Sequence, residues 1–197
     1  MDAATQPRRV RADAERSTAR ILEAAEAVLA VDPNASLERI ADEAGLARAT
    51  VHRRFANRKA LLEALAGQLN ERYLMALEQA RVRTAPPVVA LHRMTESVFE
   101  LKISHRFTLE LTADPQTLRP ALSAPVEQGL DLLFTRLYEA GVITTAGPSW
   151  CRQLYIALVH EVDQLPADAP ELAPAGDRGA RVDLLVRTLI GALGGKA

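Results

Sequence analysis

Apolar residues recur every three or four positions along most of this chain, and alternation of period two never persists beyond a few residues. The pattern predicts an all-α protein with no internal repeat. Residues 1–16 are polar and read as a flexible arm. From Ser17, a predicted N-cap, Ile21, Ala25, Val28 and Leu29 share one helical face, and Pro33 forces an end near Val31. Ser36 caps a short second helix, "LERIADEA", with Leu37, Ile40, Ala41 and Ala44 facing inward. Gly45 then stands where a helix C-terminus calls for positive φ. A third helix spans about Arg48 to Phe55, with Ala47, Val51 and Phe55 as its apolar ridge. Asn57 caps a long fourth helix bearing Leu61, Leu65, Leu69, Tyr73 and Leu77, and "APP" at 85–87 stops it. Further helices are predicted over 88–104, 105–113, 122–140, 149–165 and 177–193, with Pro115, Pro120 and Pro125 as punctuation and 166–176 as a Pro/Ala/acid loop.

Composition agrees with helices. Of 197 residues, 48% are hydrophobic and only 4% aromatic, and Ala, Leu and Arg keep most of their side-chain freedom in a helix. Cys151 is the single cysteine, so neither an intrachain disulfide nor a multi-cysteine zinc site can form. The opening "MDAATQPRRVRADAERS" lacks the apolar core of a signal peptide, and no run of about 18 apolar residues is present. A cytoplasmic protein with no membrane partner is expected.

Net charge changes the picture only locally. The chain totals −1, with 11 Lys/Arg against 9 Asp/Glu in residues 1–60 and 13 against 16 in residues 61–197. Yet residues 45–62, "GLARATVHRRFANRKALL", hold Arg48, Arg53, Arg54, Arg58 and Lys59 and no acid. Two short helices joined by a tight glycine turn behind a longer helix form a helix-turn-helix arrangement. Its third helix is anchored by the apolar ridge, and the opposite face suits a DNA major groove. On that face Arg48 and Arg53 can read bases, and Ala49 permits close approach. Thr50 and His52 can donate to phosphates, with Ser36, Arg54 and Lys59 flanking. Arg58, at the start of the fourth helix, is placed to meet a phosphate as well. The competing reading is a solvated basic helix face. Arg8, Arg9 and Arg11 form either a solvated tail or a minor-groove arm.

Residues 36–65, "SLERIADEAGLARATVHRRFANRKALLEAL", resemble the DNA-binding signature of the TetR family of bacterial transcriptional regulators. The resemblance rests on Ile40-Ala41, Ala44-Gly45-Leu46, Thr50-Val51, Phe55 and Arg58-Lys59-Ala60-Leu61, and covers roughly residues 17–65. Two positions depart from the family pattern. His52 replaces the usual phosphate-binding Tyr, losing reach and gaining pH sensitivity. Ala47 replaces the Ser that usually caps the third helix.

The resemblance implies an N-terminal helix-turn-helix domain, taken as residues 1–60, and a larger C-terminal ligand-binding and dimerisation domain, residues 61–197. It further implies a homodimer on a double-stranded operator, most often as a repressor, and release by a small-molecule effector, with the fourth helix as the coupling element. No cofactor or metal is implied, and no enzymatic activity. The pairing face is expected from Trp150, Leu154, Leu158 and Val162 on one late helix and Val182, Leu185, Val186, Leu189 and Ile190 on the last. Phe99, His105, Phe107, Glu110, Phe134, Tyr138, Trp150 and Tyr155 are the candidate effector contacts, each also readable as ordinary core or surface. His92, His105, His160 and Cys151 lack metal-site spacing, and "VHEVDQL" at 159–165 has Gln164 where a zinc-protease helix needs its second His. A helical adaptor and a small helical enzyme are the alternative functions.

Overall fold

A computed structural model of the chain describes residues 6–105, 108–109, 122–172 and 177–195. These contain helices and no strand: α1 (Gln6–Val31), α2 (Leu37–Glu43), α3 (Arg48–Arg54), α4 (Arg58–Gln79), α5 (Pro87–Ser104), α6 (Ala124–Glu139), α7 (Pro148–Gln164) and α8 (Arg178–Ala192). One 3-10 turn, Pro170–Leu172, interrupts the late loop and buries Leu172. The helix expected over 105–113 lies mostly outside the described residues, as do Pro115 and Pro120.

Two compact units result, one running to Gln68 and the other starting at Leu69. The division falls inside α4 rather than at residue 60, because the first turns of α4 give Leu61 and Leu65 to the N-terminal core. That core also takes Ile21, Ala25 and Leu29 from α1, Ile40 and Ala41 from α2, and Val51 and Phe55 from and just after α3. In the second unit α5 packs on α8, α6 on α7, and α7 on α8. Its largest fully buried side chains are Tyr155, Phe99, Phe134, Leu91, Met94, Leu133 and Leu137.

Three expectations need correcting. Helix α1 begins at Gln6, so Ser17 is no cap; its hydroxyl donates to the Asp13 carbonyl at 2.7 Å, inside the helix. Nothing between Pro7 and Ser17 breaks a helix, and Pro7 sits in the first turn where its missing N–H costs nothing. Helix α4 ends at Gln79, ahead of the prolines. The Val82 N–H bonds Leu77 O and the Arg81 N–H bonds Glu78 O, while Arg81 takes φ 54°. This is a Schellman closure built on Arg where glycine is usual, and burial of Val82 compensates. Ala47, finally, is exposed, so the α3 ridge is Val51 and Phe55 alone.

The turn after α2 has the same closure with the residue that suits it. The Gly45 N–H bonds Asp42 O at 3.1 Å, the Leu46 N–H bonds Ala41 O at 3.0 Å, and Gly45 takes φ 61°. A Cβ there would also lie 3.3 Å from Arg20 Nη2, which donates to the Ala44 carbonyl at 2.6 Å. Gly45→Ala should therefore lower the unfolding free energy of the N-terminal unit by about 1–2 kcal/mol, read by urea denaturation of the full chain with hydrogen exchange at residues 37–51. Unchanged exchange protection there would contradict the assigned turn.

Candidate nucleic-acid interface

Val51 is fully buried and Phe55 nearly so, which fixes the roll of α3 about its axis. Arg48, Ala49, His52, Arg53 and Arg54 are consequently exposed, and Thr50 is half-buried. Among the described residues Arg53 and Arg54 form no ion pair. Ala47 is the N-cap of α3 and supplies no side-chain bond, so that helix start is uncapped as its sequence predicts.

The remaining predicted contacts already have partners within the chain. Ser36 is the N-cap of α2, its hydroxyl accepting from the Arg39 N–H at 3.3 Å. Lys59 Nζ lies 3.8 Å from Glu63 one turn along α4, and Asn57 Oδ1 caps α4 through the Ala60 N–H at 2.9 Å. Arg58 is held within the N-terminal unit. Rather than pointing to solvent for a phosphate, its guanidinium donates to Ala35 O at 3.1 Å and to Pro33 O. It ties the start of α4 to the loop between α1 and α2, whose carbonyls have no helical partner.

Two acids escaped the sequence reading. Asp42 Oδ2 lies 3.5 Å from Arg48 Nη2, and Glu38 Oε1 lies 3.0 Å from His52 Nε2. An ionised carboxylate only accepts, so His52 carries its proton on Nε2 in that contact. The Glu38 carboxyl is held down from 4.5 to about 2, first by its own backbone N–H and then by His52 and the Ser36 hydroxyl. The signal was present in the spacing. Glu38/Asp42 and Arg48/His52 are both i, i+4 pairs on neighbouring helices.

In the C-terminal unit three of the predicted effector residues are buried, and two of them meet. Phe134 and Tyr155 stack with ring centroids 5.9 Å apart and a 60° tilt, and Phe99 is likewise buried. The Tyr155 hydroxyl donates to Thr95 Oγ1 at 3.3 Å, and Thr95 in turn donates to Leu91 O at 2.8 Å. Burial raises the Tyr155 and Tyr73 pKa values, so both stay neutral. His105, half-buried, accepts from Arg72 Nη1 at 2.9 Å through Nδ1. Tyr138 and Trp150 are exposed, apart from this cluster, and Phe107 and Glu110 lie outside the described residues. A cavity of about 590 Å³ opens elsewhere in the unit, between His92, Val142, Val186, Arg187 and Ile190, and is lined by none of the predicted effector residues.

The residues expected to form the pairing face divide by exposure. Val162, Val182, Leu185, Val186, Leu189 and Ile190 are all buried within the chain. The broad apolar arc of α8 is spent on α5 and α7, which pack against it from two sides. Trp150 remains 59% exposed, and Leu154, Leu158 and Leu184 are partly buried. Cys151 is buried, its thiol pKa raised by burial, which makes it a poor redox sensor. Among the described residues no cluster of His, Cys, Asp or Glu could hold a metal, and no helix is long and apolar enough to cross a membrane.

Residues 21–65 match the family model of bacterial regulatory proteins of the tetR family. The HTH-type transcriptional repressor LfrR of Mycolicibacterium smegmatis is 34% identical over 148 residues, 74% of this chain and 77% of that one. The chain belongs to the TetR family. The crystal structure of LfrR from Mycobacterium smegmatis in complex with proflavine aligns at a TM-score of 0.61 and 31% identity, covering 89% of this chain and 94% of LfrR. The TetR family regulator PfmR from Thermus thermophilus aligns at a TM-score of 0.62 over 85% of this chain and 97% of its own; at 20% identity it supports the fold alone. This chain is therefore a TetR-family transcriptional regulator with an N-terminal helix-turn-helix.

The reassignment of Arg58 is testable. Arg58→Ala should destabilise the N-terminal unit by about 1–3 kcal/mol and speed amide exchange at residues 32–37. Lys59→Ala, beside it, should leave both unchanged. Full protection in Arg58→Ala would return this side chain to the DNA-facing set.

Proposed function

We propose that this protein is a repressor that binds a palindromic operator as a homodimer, lays α3 in the major groove, and is released by a small-molecule effector. The observation that carries the reading is the exposed surface of Arg48, Ala49, His52 and Arg53, with Ala49 and Arg53 opposite buried Val51. Guanidinium groups read guanine through its paired major-groove acceptors, and the small Ala49 allows the helix to come close. Arg54, Lys59, Thr50 and Ser36 flank that face as phosphate contacts. Two such helices about 34 Å apart in a dimer would match one turn of duplex.

Pairing falls to the apolar surface that the intrachain core leaves over: Trp150, Leu154 and Leu158 on α7 with Leu184 on α8. For the effector, a site among Phe99, Phe134 and Tyr155 would open between side chains that are packed together in the core, with the hydroxyls of Tyr155 and Thr95 as its polar groups. An aromatic effector suits such side chains, and the proflavine complex of LfrR is in keeping with that class.

Selection of bound fragments from random duplex DNA is the decisive experiment, and a palindromic consensus is the expected result. Binding with no sequence preference would favour a helical adaptor instead. On the selected fragment, Arg48→Ala and Arg53→Ala should each cost about 1–3 kcal/mol and relax preference at one base position. Trp150→Asp should weaken self-association in sedimentation equilibrium while leaving the thermal midpoint in place, since the ring is 59% exposed. An unchanged dimer constant would move the pairing surface elsewhere.

A further inference from the structure

Along α2, Glu38 and Asp42 stand one turn apart; along α3, Arg48 and His52 do the same. The two helices bring them into register, Glu38 against His52 at 3.0 Å and Asp42 against Arg48 at 3.5 Å. All four side chains keep 42–65% of their surface exposed, so this double rung is not part of the core. Half-exposed ion pairs contribute little to folding, and helix–helix adhesion here already comes from Ile40, Ala41 and Val51. The acids nevertheless sit against two of the side chains that face DNA.

We propose that Glu38 and Asp42 are specificity-determining residues that hold His52 and Arg48 back from the phosphate backbone and so suppress binding to non-cognate duplex. This rests on the DNA-binding reading above. Non-specific binding is driven by cations meeting phosphates and releasing counterions, and a cation paired to a carboxylate releases fewer. The two acids also repel the backbone as it approaches. A correct base edge offers Arg48 a directional, paired contact that repays loss of the carboxylate, and a bare phosphate does not. Arg53 and Arg54, with no acid against them among the described residues, remain to supply the initial encounter.

The test uses the full chain, fluorescence anisotropy, and two probes: a random-sequence 30-base-pair duplex pool and the fragment that the wild-type protein enriches from it. Glu38→Gln/Asp42→Asn should bind the random pool about fivefold to thirtyfold more tightly. Its log–log salt slope should steepen by about one, for the Arg48 charge freed. The enriched fragment should gain less, so discrimination falls. Glu171→Gln in the late loop of the second unit, equal in charge change to either single variant, should not shift the ratio. The singles Glu38→Gln and Asp42→Asn are read alongside, in case the double variant fails to fold. Unaltered affinity and slope on the random pool, or equal gains on both probes, would overturn the inference while leaving sequence-selective binding by the wild type intact. If the wild type enriches nothing, the DNA reading itself fails and this inference falls with it.

Discussion

Burial of Val51 and Phe55 against α1 and α2 is the constraint on which the functional surface depends. A helix of two turns, uncapped at its start, has little stability of its own. Side chains of this size each contribute about 1.5–3 kcal/mol when removed from water. Here they also set orientation: with that edge inward, Ala49 and Arg53 face away from the core, and Arg48 and His52 lie exposed at its rim beside α2. The Gly45 closure and the Arg20 bond to Ala44 O set the angle at which α3 leaves α2.

Arginine serves two distinct purposes in this molecule. One group meets backbone carbonyls at helix ends and in the loops beside them. Arg20 reaches Ala44 O, Arg58 reaches Ala35 O and Pro33 O, Arg136 reaches Ala85 O and Val82 O, and Arg181 reaches Leu165 O and Val162 O. The planar fork can serve two carbonyls at once, which a lysine cannot do as well. The other group, Arg48, Arg53 and Arg54, stays on the surface. A part-buried triad stands between these roles: Arg152 bridges Asp131 and Glu127 at 2.7 Å each and links α6 to α7. Counting basic residues in a segment therefore overstates its capacity for polyanions, as Arg58 illustrates.

The C-terminal unit shows the same economy with apolar surface. Helix α8 carries more hydrophobic residues than one neighbour needs, which reads as a pairing face when the helix is considered alone. Two neighbours, α5 and α7, consume the excess. What remains accessible is narrower and centres on Trp150.

Local periodicity by itself determined the helices, the inward residues of α1 and α2, the Gly45 turn, the Asn57 cap and the basic character of residues 45–62, because each depends on neighbours within a few positions. It also carried the family signature across residues 36–65. The partner of each long polar side chain was decided only by the tertiary structure. Arg58 found carbonyls 23 and 25 residues away, His52 found a carboxylate 14 residues away, and the α8 stripe found two helices rather than one. The end of α4 escaped prediction because a Schellman closure on Arg81 has no glycine to announce it. A hydrophobic pattern states how much surface must leave water, but packing alone chooses what covers it, and flexible charged side chains take whichever partner that packing brings within reach.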